Sequence, residues 1–242
     1  LRLGIIADIH GNLEALNSFL SMLSQKGFDT LVVGGDIVGY GADPIPCLET
    51  VLHHKAVLVA GNHDWAAAGR IGMDYFNEPA KQAIDWTRQQ LSEHEREILH
   101  TLPLETTVHG IHVSHSNPVD PGSWEYLTDY SDAQKIGSEL FGIHIIGHSH
   151  VPFIFGHGAD IDMYESDPGM YKLVPRWSYV INVGSIGQPR DGIPLASGAL
   201  LDTVEQYIEL LRVPYPIHRA ADKIRNESGL PDYLAIRLYS GS

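Results

Sequence analysis

The sequence predicts an α/β protein in which two packed β-sheets carry helices on their outer faces. Three observations predict it. Strand, helix, strand, helix, strand patterns follow one another in the first 60 residues, the signature of a parallel sheet built from βαβ units. Beyond residue 150 the texture changes to short strands and turns. The chain is 242 residues long and 43% apolar, which fits one large domain with a sizeable core.

The elements are read in order. "LRLGIIA" is a short apolar run ending at Asp8, as a buried strand does. Leu13, Leu16, Leu20 and Leu23 then recur at helical spacing, with Gly27 where a helix C-terminus expects it. "TLVVGGD" and "AVLVAGNHD" are further buried strands, separated by a helix at "IPCLETVLHH". "EPAKQAIDWTRQQL" places Ala80, Ala83, Ile84, Thr87 and Leu91 on one helical face. Ser92 and Glu95 form a capping box for the helix that stops before Pro103. A hairpin, "LETTVHGIHVSH", a polar and aromatic loop, and the strand "GIHIIG" follow. The remainder reads as a largely antiparallel second sheet and a short helical tail. A single domain over residues 1–242 is expected, with a helical lid insertion at about 65–103 and a loop at about 116–130.

Composition narrows the function. A formal net charge of −14 argues against general nucleic-acid or membrane binding, because phosphate surfaces demand basic patches. A small phosphorylated substrate remains admissible, since bound cations reverse a local field. No apolar stretch approaches the roughly 18 residues of a membrane span. The N-terminal run lacks the features of a signal peptide. The single Cys47 suits a reducing compartment, so a cytoplasmic protein is expected. A homodimer is left open.

Each apolar strand of the first 150 residues ends in metal-competent residues: Asp8 and His10, then Asp36, then Asn62, His63 and Asp64, then His115, then His148 and His150. Ligands of parallel α/β sheets bind outside the carboxyl ends of the strands, so these residues are expected to gather. Extended geometry would aim residues i and i+2 the same way, pairing Asp8 with His10 and His148 with His150. Gly34, Gly35, Gly61 and Gly147 would let the chain turn sharply at these points. Carboxylate, imidazole and amide donors without thiolate suit Mn, Fe, Co, Ni or Zn. The donors are too many for one tetrahedral ion, and two divalent transition-metal ions sharing a carboxylate would use them all.

In this order, "DIHGN", "GDIVGYG", "GNHD", a lone histidine before "SNP", and "GHSH" resemble the calcineurin-like metallophosphoesterase superfamily. With "NVGSIGQPRDG", the chain resembles its small bacterial and archaeal phosphodiesterase branch, which includes diadenosine-tetraphosphatase-like proteins. The resemblance implies a four-layer α/β/β/α sandwich with two mixed sheets. It implies that Asp8, His10, Asp36 and His150 hold a first metal, that Asp36, Asn62, His115 and His148 hold a second, and that His63 is catalytic near the leaving group. The implied reaction is phosphoester hydrolysis by in-line attack of a hydroxide bridging the metals. A dinucleoside polyphosphate hydrolase, a protein phosphatase and a non-catalytic interaction scaffold are the alternatives. Arg190 is a phosphate clamp or part of a hairpin turn, with Asn182 a weaker candidate beside it. Asp64 orients His63 or caps a helix. Trp124 and Tyr126 stack a nucleobase or pack a lid.

Overall fold

The computed structural model describes residues 1–159, 161–227 and 229–242. Strand β1 (Arg2–Ile6) leads into helix α1 (Leu13–Lys26), β2 (Thr30–Val33), α2 (Pro44–His53) and β3 (Val57–Leu58). Three helices follow: α3 (Asn62–Ala67), α4 (Glu78–Gln90) and α5 (Glu93–Thr101). Next come β4 (Glu105–Val108), β5 (Ile111–Ser114), α6 (Tyr130–Gly137) and β6 (Ile143–Ile146). The chain continues as β7 (Phe153–His157), β8 (Asp162–Glu165), β9 (Gly169–Lys172), β10 (Ser178–Asn182), β11 (Ala196–Asp202) and β12 (Tyr207–Val213). It closes with α7 (Ile217–Asn226) and α8 (Asp232–Ser240).

Two six-stranded mixed sheets form, in the orders β3-β2-β1-β11-β12-β9 and β4-β5-β6-β10-β7-β8. Strands β1, β2 and β3 are parallel, as the βαβ pattern predicts, and so are β5, β6 and β10. The C-terminal strands do not make a sheet of their own. β11 pairs antiparallel with β1, and β10 is inserted between β6 and β7. The local pattern distinguishes strand from helix, but long-range pairing decides which sheet a strand joins, and period alone does not carry that choice.

The alternation of side chains along each strand builds the layers. Leu3 and Ile5 of β1 pack with Ile145, Ile154 and Ile181 of the other sheet, forming the core between the sheets. Ile6 faces the opposite way, with Leu16, Phe19 and Leu23 of α1. On the far side, Ala133 of α6 covers Phe153, Phe155 and Val180. The result is the α/β/β/α layering. Asn12 caps α1 by accepting the Ala15 N–H at 3.1 Å. The Ser92–Glu95 capping box is formed.

Candidate metal centre

The strands stop before the functional residues begin. Asp8, His10, Asp36, His148 and His150 all have left-handed backbones, with φ of 52°, 47°, 54°, 66° and 62°. The expected extended i, i+2 geometry is therefore replaced by a coiled one. Non-glycine residues in this region cost on the order of 1–3 kcal/mol each and persist where the surroundings over-determine them. Here backbone bonds do so: Asp8 N–H donates to the Gly35 carbonyl at 3.0 Å, and His10 N–H to that of Asp36 at 2.9 Å.

Each central carboxylate commits one oxygen to a neighbouring backbone amide and turns the other inward. Asp8 Oδ2 accepts from His148 N–H at 3.0 Å, and Asp36 Oδ1 accepts from His63 N–H at 2.9 Å. These approaches need glycine for space. A Cβ on Gly147 would overlap the Asp8 carboxylate, and one on Gly61 would overlap that of Asp36. The glycines at these two positions thus serve close approach more than sharp turning.

Three imidazoles are oriented the same way. Nδ1 of His10, His115 and His150 lies 3.2, 2.7 and 2.5 Å from the carbonyls of Val38, Gly34 and Gln188. An Nδ1–H donated to a carbonyl leaves the Nε2 lone pair free, the usual support of a metal-binding imidazole. His150 Nε2 is 3.2 Å from Asp8 Oδ1, and His115 Nε2 is 3.3 Å from Asp36 Oδ2. His148 is reversed. Its Nε2 meets the Trp124 carbonyl at 2.9 Å, and its Nδ1 faces His115 Nε2 at 3.1 Å.

Among the described residues, three sets of donor atoms each gather within 4.8 Å: Asp8, His10 and His150; His10, Asp36 and His63; Asp36, His115 and His148. His10 and Asp36 each belong to two. Asp8 Oδ1, Asn62 Oδ1 and His63 Nδ1 are buried with no hydrogen-bond partner. Buried polar atoms are normally paired, so these bare lone pairs, with a carboxylate and imidazole donor set, fit divalent cations.

For His10, His63, His148 and His150 the electrostatics agree. Burial pushes His148 down to about 3 and His63 to about 4, so both are neutral near pH 7. Burial likewise holds His10 and His150 well below the usual range. It raises Asp8, with the Asp36 charge adding to it. At His115 burial acts downward, but the charge and hydrogen bond of Asp36 more than offset it and raise that imidazole to about 10.

Asp64 does not bond His63. Its Oδ1 accepts from the Ile37 and Val38 N–H groups at 2.9 and 3.1 Å, and its Oδ2 from Gly61 N–H at 3.0 Å. It clamps the loops that present Asp36 and His63, and so takes the capping role. Asn182 donates to the Gly147 carbonyl at 2.7 Å and to Ser149 Oγ at 2.9 Å, which fixes the turn bearing His148 and His150. Arg190 donates to Gln188 Oε1 at 2.9 Å, and its charge helps to lower His63 and His150. Sequence reasoning missed Tyr40, whose ring lies 4.6 Å from that of His10 and 4.4 Å from that of His63. It also missed the carbonyls of Gly34, Val38, Gln188 and Trp124, which no residue-type pattern reveals.

A cavity of about 730 Å³ opens beside the cluster. Asn62, His63 and His148 form its floor, and Phe76 and Tyr75 line one wall. The 116–130 loop supplies the other, with Trp124 and Tyr126. Tyr126 stacks on His148 with ring centroids 4.1 Å apart and planes at 15°. Trp65 of α3 meets Trp124 edge to face at 5.7 Å and so packs against the 116–130 loop.

Two layered mixed sheets with a buried histidine–carboxylate cluster at their strand ends define a metallophosphoesterase, and comparison bears this out. The profile of the calcineurin-like phosphoesterase superfamily domain matches residues 1–206, and the chain belongs to that family. It is 40% identical to the uncharacterized protein MJ0912 of Methanocaldococcus jannaschii, over 99% of this chain and 98% of that one. A metallophosphoesterase of known structure from Sphaerobacter thermophilus is 35% identical, with a TM-score of 0.85 over 100% of this chain and 99% of that one. Protein PH1004 of Pyrococcus horikoshii shares the fold at 22% identity and a TM-score of 0.79, over 100% and 98%. The protein is a phosphoesterase, a hydrolase of metal-dependent type.

Proposed function

We propose that the protein hydrolyses phosphodiesters that carry a flat aromatic or heteroaromatic group. One observation carries the first part: Asp36 lies between two donor groups, with Oδ2 at 3.5 Å from His10 Nε2 and 3.3 Å from His115 Nε2. Asp8, His10, Asp36 and His150 would hold one divalent ion. Asp36, Asn62, His115 and His148 would hold a second. Two such ions, drawn from Mn, Fe, Zn, Ni or Co, would supply an activated water and neutralise charge on the phosphoryl oxygens.

The remaining work falls to the chain. His63 lines the cavity, which places its imidazole to protonate a leaving oxygen, while its Nδ1 is buried against Gly39 with no partner. Its free-state value of about 4 is held down by burial and by the Arg190 charge. A bound phosphoryl anion acts in the opposite sense and raises this value toward neutral pH, where an acid is effective. Tyr40 packs on His63 and fixes the plane of its ring. The aromatic side chains of the cavity supply faces for a planar group, which supports nucleotide-like diesters over small alkyl ones. The same walls would suit a dinucleoside polyphosphate. The buried thiol of Cys47 is consistent with work in a reducing compartment.

The test strips the protein with a chelator and restores Mn, Ni or Zn separately. Turnover of bis(p-nitrophenyl) phosphate and p-nitrophenyl phosphate is then followed by the absorbance of the released nitrophenolate. Activity that returns with metal and favours the diester is expected. Equal activity in stripped and restored protein would overturn the proposal.

A further inference from the structure

We propose that a cavity at the opposite end of the two sheets from the metal-ligand cluster is a second ligand site, which takes a flat apolar molecule bearing one anionic group. None of its lining residues belongs to the cluster or to the cavity beside the cluster.

The strands place it. Ile111, Ile143 and Ser178 are the first residues of β5, β6 and β10, and all three line the cavity. β5 and β6 run from there toward the cluster, β5 to His115 and β6 to Gly147 and His148. From Ile143 to Gly147 is about 13 Å of extended chain. The other sheet contributes Leu201 and Asp202 of β11. Ile111, Leu173 and Leu201 belong to the core between the sheets, so the cavity is the open end of that core. Its volume, about 530 Å³, is that of a small-molecule site.

One wall is flat. Trp177 lines the cavity, and a Cβ on Gly156 or Gly158 would run into its ring, so these two glycines give the indole its place. Phe141 stands at the rim, 85% exposed. An aromatic ligand gains from such faces.

The charge is set by Arg176. Val174, Pro175, Arg176 and Trp177 form a turn closed by a bond from Trp177 N–H to the Val174 carbonyl at 3.3 Å. Proline second and a positive φ third is the type II pattern, whose third position favours glycine. Arg176 occupies that position with φ of 69°. Such a backbone costs free energy and persists where the surroundings fix it. They do so here: Val174 N–H donates to the Tyr179 hydroxyl at 2.7 Å, Leu173 N–H to the Gln206 carbonyl at 2.8 Å, and Tyr179 N–H to the Gly142 carbonyl at 2.7 Å. A cation is thus held where glycine would cost less. The acid of the same lining does not answer it. Asp202 accepts from the Val204 and Glu205 N–H groups at 3.0 Å each and lies 3.6 Å from Arg2. Among the described residues no carboxylate pairs with Arg176, in a chain with 30 acids against 16 Lys and Arg. A guanidinium fork suits a carboxylate through paired, charge-assisted bonds.

The test titrates naphthalene-2-carboxylate and the neutral naphthalene-2-carboxamide into the metal-loaded protein by calorimetry. The carboxylate is expected to bind about tenfold more tightly, in line with one charge-assisted contact. Arg176→Gln should bring the two ligands to equal affinity, and Arg176→Lys should keep part of the preference. Tyr126→Ala, on the wall of the other cavity, should leave both affinities as they are. Circular dichroism checks that each variant is folded. No binding in the wild type, or a full preference in folded Arg176→Gln, as for a carboxylate held by the metal ions, would overturn the proposal. So would binding that Tyr126→Ala abolishes. Self-association that Phe141→Ser removes, without carboxylate binding, would give the cavity to a second copy of the chain and overturn it as well.

Discussion

Asp8 Oδ2 accepts the backbone N–H of His148 at 3.0 Å, and this bond joins the end of β1 in one sheet to the end of β6 in the other. The other oxygen, Oδ1, faces His150 Nε2 at 3.2 Å with no hydrogen bond of its own. One side chain thus locks the two sheets together and offers a bare lone pair. Burial raises Asp8, partly offset by the neighbouring His115, so its ionised form at neutral pH carries a cost that a bound cation relieves. Asp8→Asn should therefore melt at an equal or higher temperature than the wild type when both are metal-free, yet bind less metal. Thermal melts in chelator with elemental analysis check this. A lower melting temperature with full metal content would contradict it.

His63 divides binding from chemistry. Its Nδ1 is unpaired, and it also shares a donor group with His10 and Asp36. If it handles the leaving-group proton, His63→Ala lowers kcat by about 10²–10⁴ while the metal content holds. Steady-state kinetics beside metal analysis separate the outcomes. Loss of a metal equivalent would make His63 a ligand instead.

The raised His115 sets a pH dependence. In the metal-free protein its value is about 10 against 6.5 unfolded, so its stabilising effect is full below 6.5 and declines as pH rises toward 10. A metal requires the neutral ring and must expel that proton. Metal affinity should therefore climb about tenfold per pH unit between about pH 7 and 9, with about one proton released. Calorimetry in buffers of different ionisation enthalpy counts the proton. A pH-independent affinity would show that His115 is already neutral.

Tyr126 is about half exposed and stacks on His148, so its ring presents one free face to the cavity. Tyr126→Ala should raise KM for ring-bearing diesters about tenfold, with dialkyl phosphates little changed, since a stacked ring contributes about 1–3 kcal/mol. Parallel KM measurements on the two substrate types decide it. Equal losses on both would mean that Tyr126 acts by positioning His148.

Much of the cluster was legible because its residues follow apolar runs, and a strand end is a place that sequence can mark. Asp8, His10, Asp36, His63, His115, His148 and His150 all fall into the donor groups. The local conformation was not legible. Asp8 and His150 are left-handed through bonds to distant loops, whereas spacing alone suggested extended chain. Asp64 was ambiguous because its partners, Ile37 and Val38, offer only backbone amides. Helix α8 was hidden for another reason: nothing in the tail shows that Leu234 and Leu238 fold back against Tyr40 and Gln188. The strands after residue 150 looked alike, and their division between the sheets depends on partners far away in sequence.

The central claim is that Asp36 serves two metal ions at once, and metal stoichiometry tests it most directly. Wild-type protein and Asp36→Ala would be saturated with Mn, freed of excess ion and assayed by elemental analysis, with circular dichroism confirming the fold. The account predicts about two equivalents per wild-type chain, as in paired-ion phosphoesterase sites, and close to none in the variant. A folded Asp36→Ala protein that keeps both ions would contradict it.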